Sequence, residues 1–395
     1  SGVLDVAALR AAVADVVARH EVLRTVYPEV DGEGYQLVLP ISDPRAVPEL
    51  VVEQAEESQV PALVAAAVIE GFDVTVAPPV RVRVLALSET DHVLICVVHH
   101  IAGDGFSMGP LTRDLMSAYV DRMHGGVPQW PALEVQYADF ALWQREVLGD
   151  ERDPSSVLAA QVGYWREQLA GLPEQLELPA DRARAGVASY QGATVGFEVD
   201  AGVHAGLSRV AAEHNATVFM VVHAALAVLL ARLSNSRDIA VGTPVAGRGE
   251  AALDELIGMF VNTLVLRTEI DPSARFSELL AGVRAVDVAA FGHADVPFER
   301  LVEVLDPPRS PARHPLFQVM LTFQNLTVPE LALPGLSVAP VDLSVGLAKF
   351  DLQLAVAEQL GREGGPGGLS AAFTYATDLF DAATVRDFAD RFTRI

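Results

Sequence analysis

The 395-residue sequence predicts a mixed α/β fold. Segments of strand-like alternation and segments of helical apolar spacing take turns along the whole chain. Hydrophobic residues make up 51%, enough for a large core. No uninterrupted apolar run approaches the roughly 18–20 residues that a membrane span requires. Length alone suggests two or three domains of ordinary size.

The first element, "DVAALRAAVADVVARHEVL", places apolar residues at helical spacing behind Asp5, an N-cap candidate. "PVRVRVLAL" (Pro79–Leu87) alternates strictly and "HVLICVV" (His92–Val98) is an apolar run, so with Ser88–Asp91 between them they predict a hairpin. A helix is expected after Gly105 in "FSMGPLTRDLMSAYVDRM", and further helices over Val135–Val147 and Ser156–Leu169. Periodicity is then lost in a stretch rich in Pro, Gly and charge. That is a linker signature and sets an expected boundary near Pro179–Ser189, giving lobes of residues 1–180 and 181–395. The second half restarts with a strand (Ala193–Val199), two helices (Val203–His214 and Thr217–Leu233) and a strand (Asp238–Pro244). The Thr217–Leu233 segment is strongly apolar, but His223 interrupts it and Arg232 ends it, which suits a buried helix. "GREGGPGGL" (Gly361–Leu369) lacks the strand–helix context of a phosphate cradle and is expected to be a hairpin tip. Finally, "VLDVAALRAAVADVVAR" near the start echoes "LFDAATVRDFADRFTRI" at the end, as two related lobes would.

Composition excludes several classes. Twenty-eight basic against 52 acidic residues give a net charge of −24, a field that repels phosphate backbones and argues against nucleic-acid binding. The single cysteine, Cys96, excludes an intramolecular disulfide and a Cys-based zinc cluster. In its Val/Ile/Leu strand it reads as a buried bystander. No basic-then-apolar secretory signal opens the chain, and a cytoplasmic enzyme without membrane attachment fits this pattern.

The residues that ask for chemistry are in "CVVHHIAGDGFSMG" (Cys96–Gly109): a strand ending in His99 and His100, with Asp104 and Gly105 before a helix. In open α/β sheets ligands gather where strands end and helices begin. Taken alone, a histidine pair there is more often solvated or satisfied in a core than catalytic. A metal site is weaker still, because no third His or carboxylate stands at ligand spacing.

Other stretches change that balance. His99, His100, Asp104 and Gly105 match an HHxxxDG motif, and "RHEVLRTVY" (Arg19–Tyr27) resembles RHExLRT. "YADFALW" (Tyr137–Trp143) is similar to YxDFAxW, and "IGMFVNTLVLR" (Ile257–Arg267) to a GxFVNT segment. "HADVPFERLVEVL" (His293–Leu305) and "RSPARHPLFQVM" (Arg309–Met320) complete the set. Six short motifs in this order resemble a condensation domain of a non-ribosomal peptide synthetase, in the superfamily of chloramphenicol acetyltransferase. The family's S-x-A-Q-x-R stretch is absent ahead of Arg19, so a fragment whose first lobe lacks its opening elements is expected.

The resemblance implies two chloramphenicol-acetyltransferase-like lobes in a pseudo-dimeric V around a central tunnel. It also implies amide formation between a donor acyl or peptidyl thioester and the α-amine of an acceptor aminoacyl thioester. The domain itself then binds no cofactor: substrates arrive on the 4'-phosphopantetheine arms of an upstream donor and a downstream acceptor carrier protein, beside other synthetase domains. Strand alternation puts His99 and His100 on opposite faces, so His100 is expected to work while His99 packs or hydrogen-bonds. An imidazole can accept the amine's proton or hold the amine in line. By analogy Asp104 is a structural anchor, with Arg24 as its expected partner, since an unpaired buried carboxylate is costly. Gly105 allows close backbone approach. Ser107 and Asn262 are expected at the substrate channel, although Asn262 could equally serve backbone groups at a crossover. Arg10, Arg19 and Arg313 are candidate docking cations. Alternatives are an epimerisation domain, which shares HHxxxDG, and a catalytically inactive carrier-protein docking domain. A heterocyclisation domain is disfavoured because its D-x-x-x-x-D replacement of the histidine pair is absent.

Overall fold

The structure, a computed structural model, describes residues 1–324, 332–333, 335–341, 346–361 and 365–395. It is an α/β chain of two compact units. One comprises Ser1–Val147, Arg248–Val261 and Leu326–Leu343, the other Leu148–Gly247, Asn262–Asn325 and Ser344–Ile395.

The first unit begins with helix α1 (Val6–Arg19), whose start is fixed by Asp5: its carboxylate accepts the Ala8 N–H at 2.9 Å. Ala8, Leu9, Ala12, Val13, Val16 and Val17 form its buried stripe, the i, i+3, i+4 pattern read from the sequence. Strand β1 (Leu50–Gln54) and helix α2 (Val60–Ile69) lead into the hairpin of β2 (Val80–Ala86) and β3 (His92–Val98). The sheet order is β1-β2-β3, with β1 and β2 parallel and β2 and β3 antiparallel in the register Val80↔Val98 to Ala86↔His92. Along β2, Val80, Val82 and Val84 point into the core and Arg81 and Arg83 away from it, the period of two that the alternation predicts. Helix α3 (Met108–Met123) packs on α1 and adds Leu111, Ala118 and Tyr119 to the same core, and α4 (Tyr137–Leu148) follows. Each fully buried aliphatic side chain contributes about 1.5–3 kcal/mol.

Cys96 does not end up packed as a bystander. Its side chain opens on an apolar cavity of about 500 Å³ between β3 and α3, lined also by Leu94, Leu115 and Tyr119. The cavity walls desolvate the thiol and push its pKa up to about 11, so it stays protonated.

The second unit contains α5 (Val157–Gln168), β4 (Gly192–Val199), α6 (Ala201–Glu213), α7 (Val218–Ser234), β5 (Asp238–Val245) and β6 (Asn262–Glu269). It continues with α8 (Phe276–Phe291), α9 (Phe298–Leu305), β7 (Val319–Gln324), β8 (Leu352–Leu360), β9 (Pro366–Ala376) and α10 (Ala382–Arg394). Its six-stranded sheet runs β6-β5-β7-β8-β9-β4, parallel at β5–β7–β8 and antiparallel elsewhere. Helix α7 is the buried helix expected. His223 within it is wholly buried and hydrogen-bonds through Nδ1 to Asp287 of α8 at 2.9 Å, which is how a polar residue is carried in that apolar run. The glycine-rich stretch joins the antiparallel strands β8 and β9; its residues 362–364 lie outside the described residues.

The units do not follow the expected 1–180 and 181–395 lobes. Helix α5 belongs to the second unit, where Trp165 donates its indole N–H to the His293 carbonyl at 2.8 Å. The aperiodic stretch near Pro179–Ser189 is no free linker. Arg184 pairs with Asp351, Asp181 accepts from the Asp381 N–H at 2.7 Å, and Ser189 donates to Asp378 at 2.8 Å. These side chains tie it to the second unit, and such pairings leave no trace in composition. Among the described residues no single helix is long and apolar enough to cross a membrane.

Candidate active site

Strand β3 delivers the histidines. The His99 N–H extends the ladder by donating to the Pro79 carbonyl at 2.8 Å, and the chain then turns, with Ala102 N–H bonded back to the His99 carbonyl at 2.9 Å. The His99 ring is half-buried. Its Nδ1 accepts the Ile101 N–H at 3.1 Å, which places the ring proton on Nε2. Burial, and the neighbouring His100, lower its pKa and keep it neutral. His100 is exposed. The two side chains therefore differ in exposure, in a turn that begins past the last residue of β3. Gly103 lies under this turn, where a Cβ would stand 3.2 Å from Val98 Cγ1. Gly105 is exposed, is not among the glycines with positive φ, and accepts the Met108 N–H at 3.3 Å.

Asp104 is an anchor. Its side chain is fully buried, and Oδ1 accepts the Ser107 N–H and hydroxyl, each at 2.8 Å. The Asp104 N–H in return donates to Ser107 Oγ at 3.2 Å, a reciprocal cap ahead of α3. Oδ2 accepts two backbone N–H groups of the 248–261 segment, Phe260 at 3.0 Å and Val261 at 3.2 Å. The charge partner is Arg248, whose Nη2 lies 3.4 Å from Oδ1. Arg248 is itself held by the Leu253 and Leu256 carbonyls, and its guanidinium sits 4.1 Å over the Phe260 ring.

This corrects the expected Arg24 partner. Arg24 bonds to the Leu39 carbonyl at 2.5 Å and to Glu21 at 3.0 Å, so its guanidinium is engaged away from Asp104. Ser107 is also corrected: it is completely buried, and its Oγ accepts the Gly258 N–H at 3.1 Å and lies 2.9 Å from the Gly258 carbonyl, out of a substrate's reach. Asn262 is engaged throughout. Its Nδ2 donates to the Ala294 and Val296 carbonyls, both at 2.7 Å, and its Oδ1 accepts the Phe298 N–H at 2.9 Å, so it fastens β6 to the start of α9. These bonds to backbone groups are the ones that the backbone reading of Asn262 expects.

Two docking cations are likewise occupied. Arg19 binds Asp114 at 2.9 Å and the Pro131 carbonyl at 2.7 Å, while Arg313 pairs with Glu174 at 2.6 Å. Arg10 remains exposed. From the same RHE stretch, His20 is buried against Asp114 at 2.9 Å, and burial lowers its pKa. Tyr137 of the YADFALW stretch donates to the Met259 carbonyl at 2.8 Å and packs edge-on against Phe260. Its phenol is pushed up to about 12 by burial and then by the Asp104 charge. Sequence reasoning missed Arg248, and it quoted Gly258–Val261 within a motif without seeing that the Phe260 and Val261 N–H groups bind Asp104. The available signal was that a buried aspartate needs a cation and N–H donors, but nothing in the spacing says which of 28 basic residues supplies the charge.

The family model of the condensation domain matches residues 1–395. The chain belongs to the condensation-domain family. A probable nonribosomal peptide synthetase of Salinispora arenicola is 49% identical over 100% of this condensation domain and 5% of its own length. A dimodular nonribosomal peptide synthase of Bacillus subtilis is 47% identical over 100% of the domain and 16% of its own length. The domain thus spans a small part of these curated relatives. Among solved structures, a chain in the complex of the X-domain and OxyB from teicoplanin biosynthesis is similar with a TM-score of 0.92 and 37% identity, covering 100% of this chain and 85% of that one.

Proposed function

We propose that this condensation domain joins a donor acyl or peptidyl thioester to the α-amine of an acceptor aminoacyl thioester, each presented on the phosphopantetheine arm of a carrier protein. The observation that carries the reading is an exposed His100 on a turn whose residues His99 and Asp104 are both held by hydrogen bonds, which leaves this imidazole accessible to substrate. In the reaction the amine nitrogen attacks the donor carbonyl, a C–N bond forms, the C–S bond breaks, and the donor's thiol leaves. The ammonium proton that the amine sheds is accepted or oriented by the His100 imidazole and returns to the departing sulfur. An α-amine has a pKa near ~8, so the demand on the base is mild, and holding two tethered reactants in line supplies roughly 7–11 kcal/mol. Asp104 and Arg248 act through the turn they hold and do not meet substrate.

A second reading is a catalytically inactive docking domain, and it is favoured by the likeness to an X-domain that is seen in complex with another protein, OxyB. Epimerisation, the abstraction and return of an α-proton on one carrier-bound residue, is the third. A single-turnover reaction with separately loaded donor and acceptor carrier proteins distinguishes them. Condensation transfers the donor acyl group to the acceptor carrier, epimerisation exchanges an α-proton with solvent on one carrier, and a docking module does neither.

A further inference from the structure

The His99 ring accepts the Ile101 N–H, a bond that spans His100, so what holds that ring braces the turn that carries His100. Among the described residues two contacts hold that ring. One is the Ile101 N–H on Nδ1 described above. The other is Phe72, which lies in the segment between α2 and β2 and meets His99 edge-on, with ring centroids 5.7 Å apart and planes at 79°.

Phe72 is itself gripped from β2. The Arg81 guanidinium carbon lies 3.8 Å from the Phe72 ring centroid. Its Nη1 donates to the Glu70 carbonyl at 2.9 Å, and its Nη2 donates to the Gly71 carbonyl. Arg83, on the same face of β2, pairs with the Glu70 carboxylate at 2.6 Å. Arg81 thus clamps the Glu70–Gly71 backbone and the Phe72 ring, and Arg83 the Glu70 side chain, against the strand that pairs with β3. A strand face turned to solvent needs neither an arginine stacked on an aromatic ring nor two guanidinium bonds to consecutive carbonyls. Cation–π stacking and charge-assisted bonds to carbonyls are directional, so they set the ring's plane as well as its place.

We propose that Phe72, clamped by Arg81, is a positioning residue for catalysis: it locks the His99 ring in one orientation, against the Ile101 N–H that sets its tautomer, and thereby fixes the direction of His100. This rests on the reading of His100 as the reacting histidine. Phe72 touches neither substrate nor His100; it acts through His99.

The test uses the 395-residue chain with Phe72→Leu, Phe72→Tyr and Arg81→Gln. Steady-state rates are measured with loaded carrier proteins, and histidine ring 15N–1H spectra are recorded in parallel. Leucine fills most of the volume but supplies no ring edge, so Phe72→Leu is expected to lower kcat about 10-fold with KM unchanged within about twofold, since misplacement of a reacting group by a fraction of an ångström is costly. Phe72→Tyr should stay within about twofold of wild type, and Arg81→Gln should fall between them. In the spectra, His99 of the wild type should show a single neutral tautomer protonated on Nε2, and Phe72→Leu should show averaging of two. A Phe72→Leu enzyme with wild-type kcat, or one whose His99 keeps its single tautomer, overturns the proposal. So does a Phe72→Tyr enzyme as slow as Phe72→Leu. If the wild type itself makes no amide, the functional reading fails on its own, and the tautomer spectra still decide the role of Phe72.

Discussion

Replacing Asp104 by alanine removes the acceptor on which the turn, the start of α3 and the 248–261 segment converge. The lost partners are the Ser107 N–H and hydroxyl, the Phe260 and Val261 N–H groups and the Arg248 guanidinium. Arg248 is only 6% exposed, so its charge cannot be rehydrated in place. Breaking one side of a buried ion pair costs about 3–5 kcal/mol. Arg248 keeps the Leu253 and Leu256 carbonyls and the Phe260 ring, which puts the expected loss at the low end, about 3 kcal/mol. For a cooperative unit of about 150–250 residues, 1 kcal/mol moves Tm by about 2–4 °C, so Asp104→Ala should melt about 6–12 °C below wild type. Asp104→Asn should be milder, yet still destabilising, because its amide NH₂ must face donors on one side or the other. Thermal melts and urea unfolding of the purified variants measure this. An Asp104→Ala variant whose Tm lies within about 2 °C of wild type would refute the anchoring role, and Arg24→Ala should leave the Asp104 network untouched.

Gly258→Ala would drive a Cβ into the Tyr137 ring and to 2.7 Å from Phe260 Cε2, and since Tyr137 is held by its bond to the Met259 carbonyl, a loss of about 1–3 kcal/mol is expected. An unchanged urea midpoint would contradict it. Stability should also fall as pH drops below about 6.5, because burial lowers the pKa of His20 and of His314 from 6.5. The unfolded chain then binds protons that the folded one refuses, so the stabilisation is complete above the unfolded value and is lost on acidification towards the folded ones. Unfolding free energies at pH 8, 6.5 and 5.5 check the sign, and a value that rises on acidification would contradict it.

Elements whose cause is local were legible. Asp5 as an N-cap, the β2–β3 hairpin with its Val/Arg alternation, and the apolar helix carrying His223 all rest on spacing within one segment. What escaped were pairings across distance. Asp104 and Arg248 stand 144 positions apart, and the ordered motif that brought attention to Arg24 says only that an arginine is present, not where its guanidinium goes. The unit boundary escaped for the same reason: Arg248–Val261 leaves the second half of the sequence to supply Asp104 with its donors, so no single cut in the sequence separates the units. Ser107 and Asn262 are polar residues in motifs, and polarity alone does not tell a side chain spent on backbone groups from one facing substrate. Phe72 gave no signal beyond one aromatic in a loop.

The most direct measurement is amide formation by His100→Ala in a single turnover with loaded donor and acceptor carrier proteins. His100 is exposed at the end of β3, so its removal should leave Tm and the fold unchanged. If His100 positions the amine or takes its proton, the rate should fall at least about 100-fold. A well-folded His100→Ala domain that condenses at near wild-type rate would contradict the account.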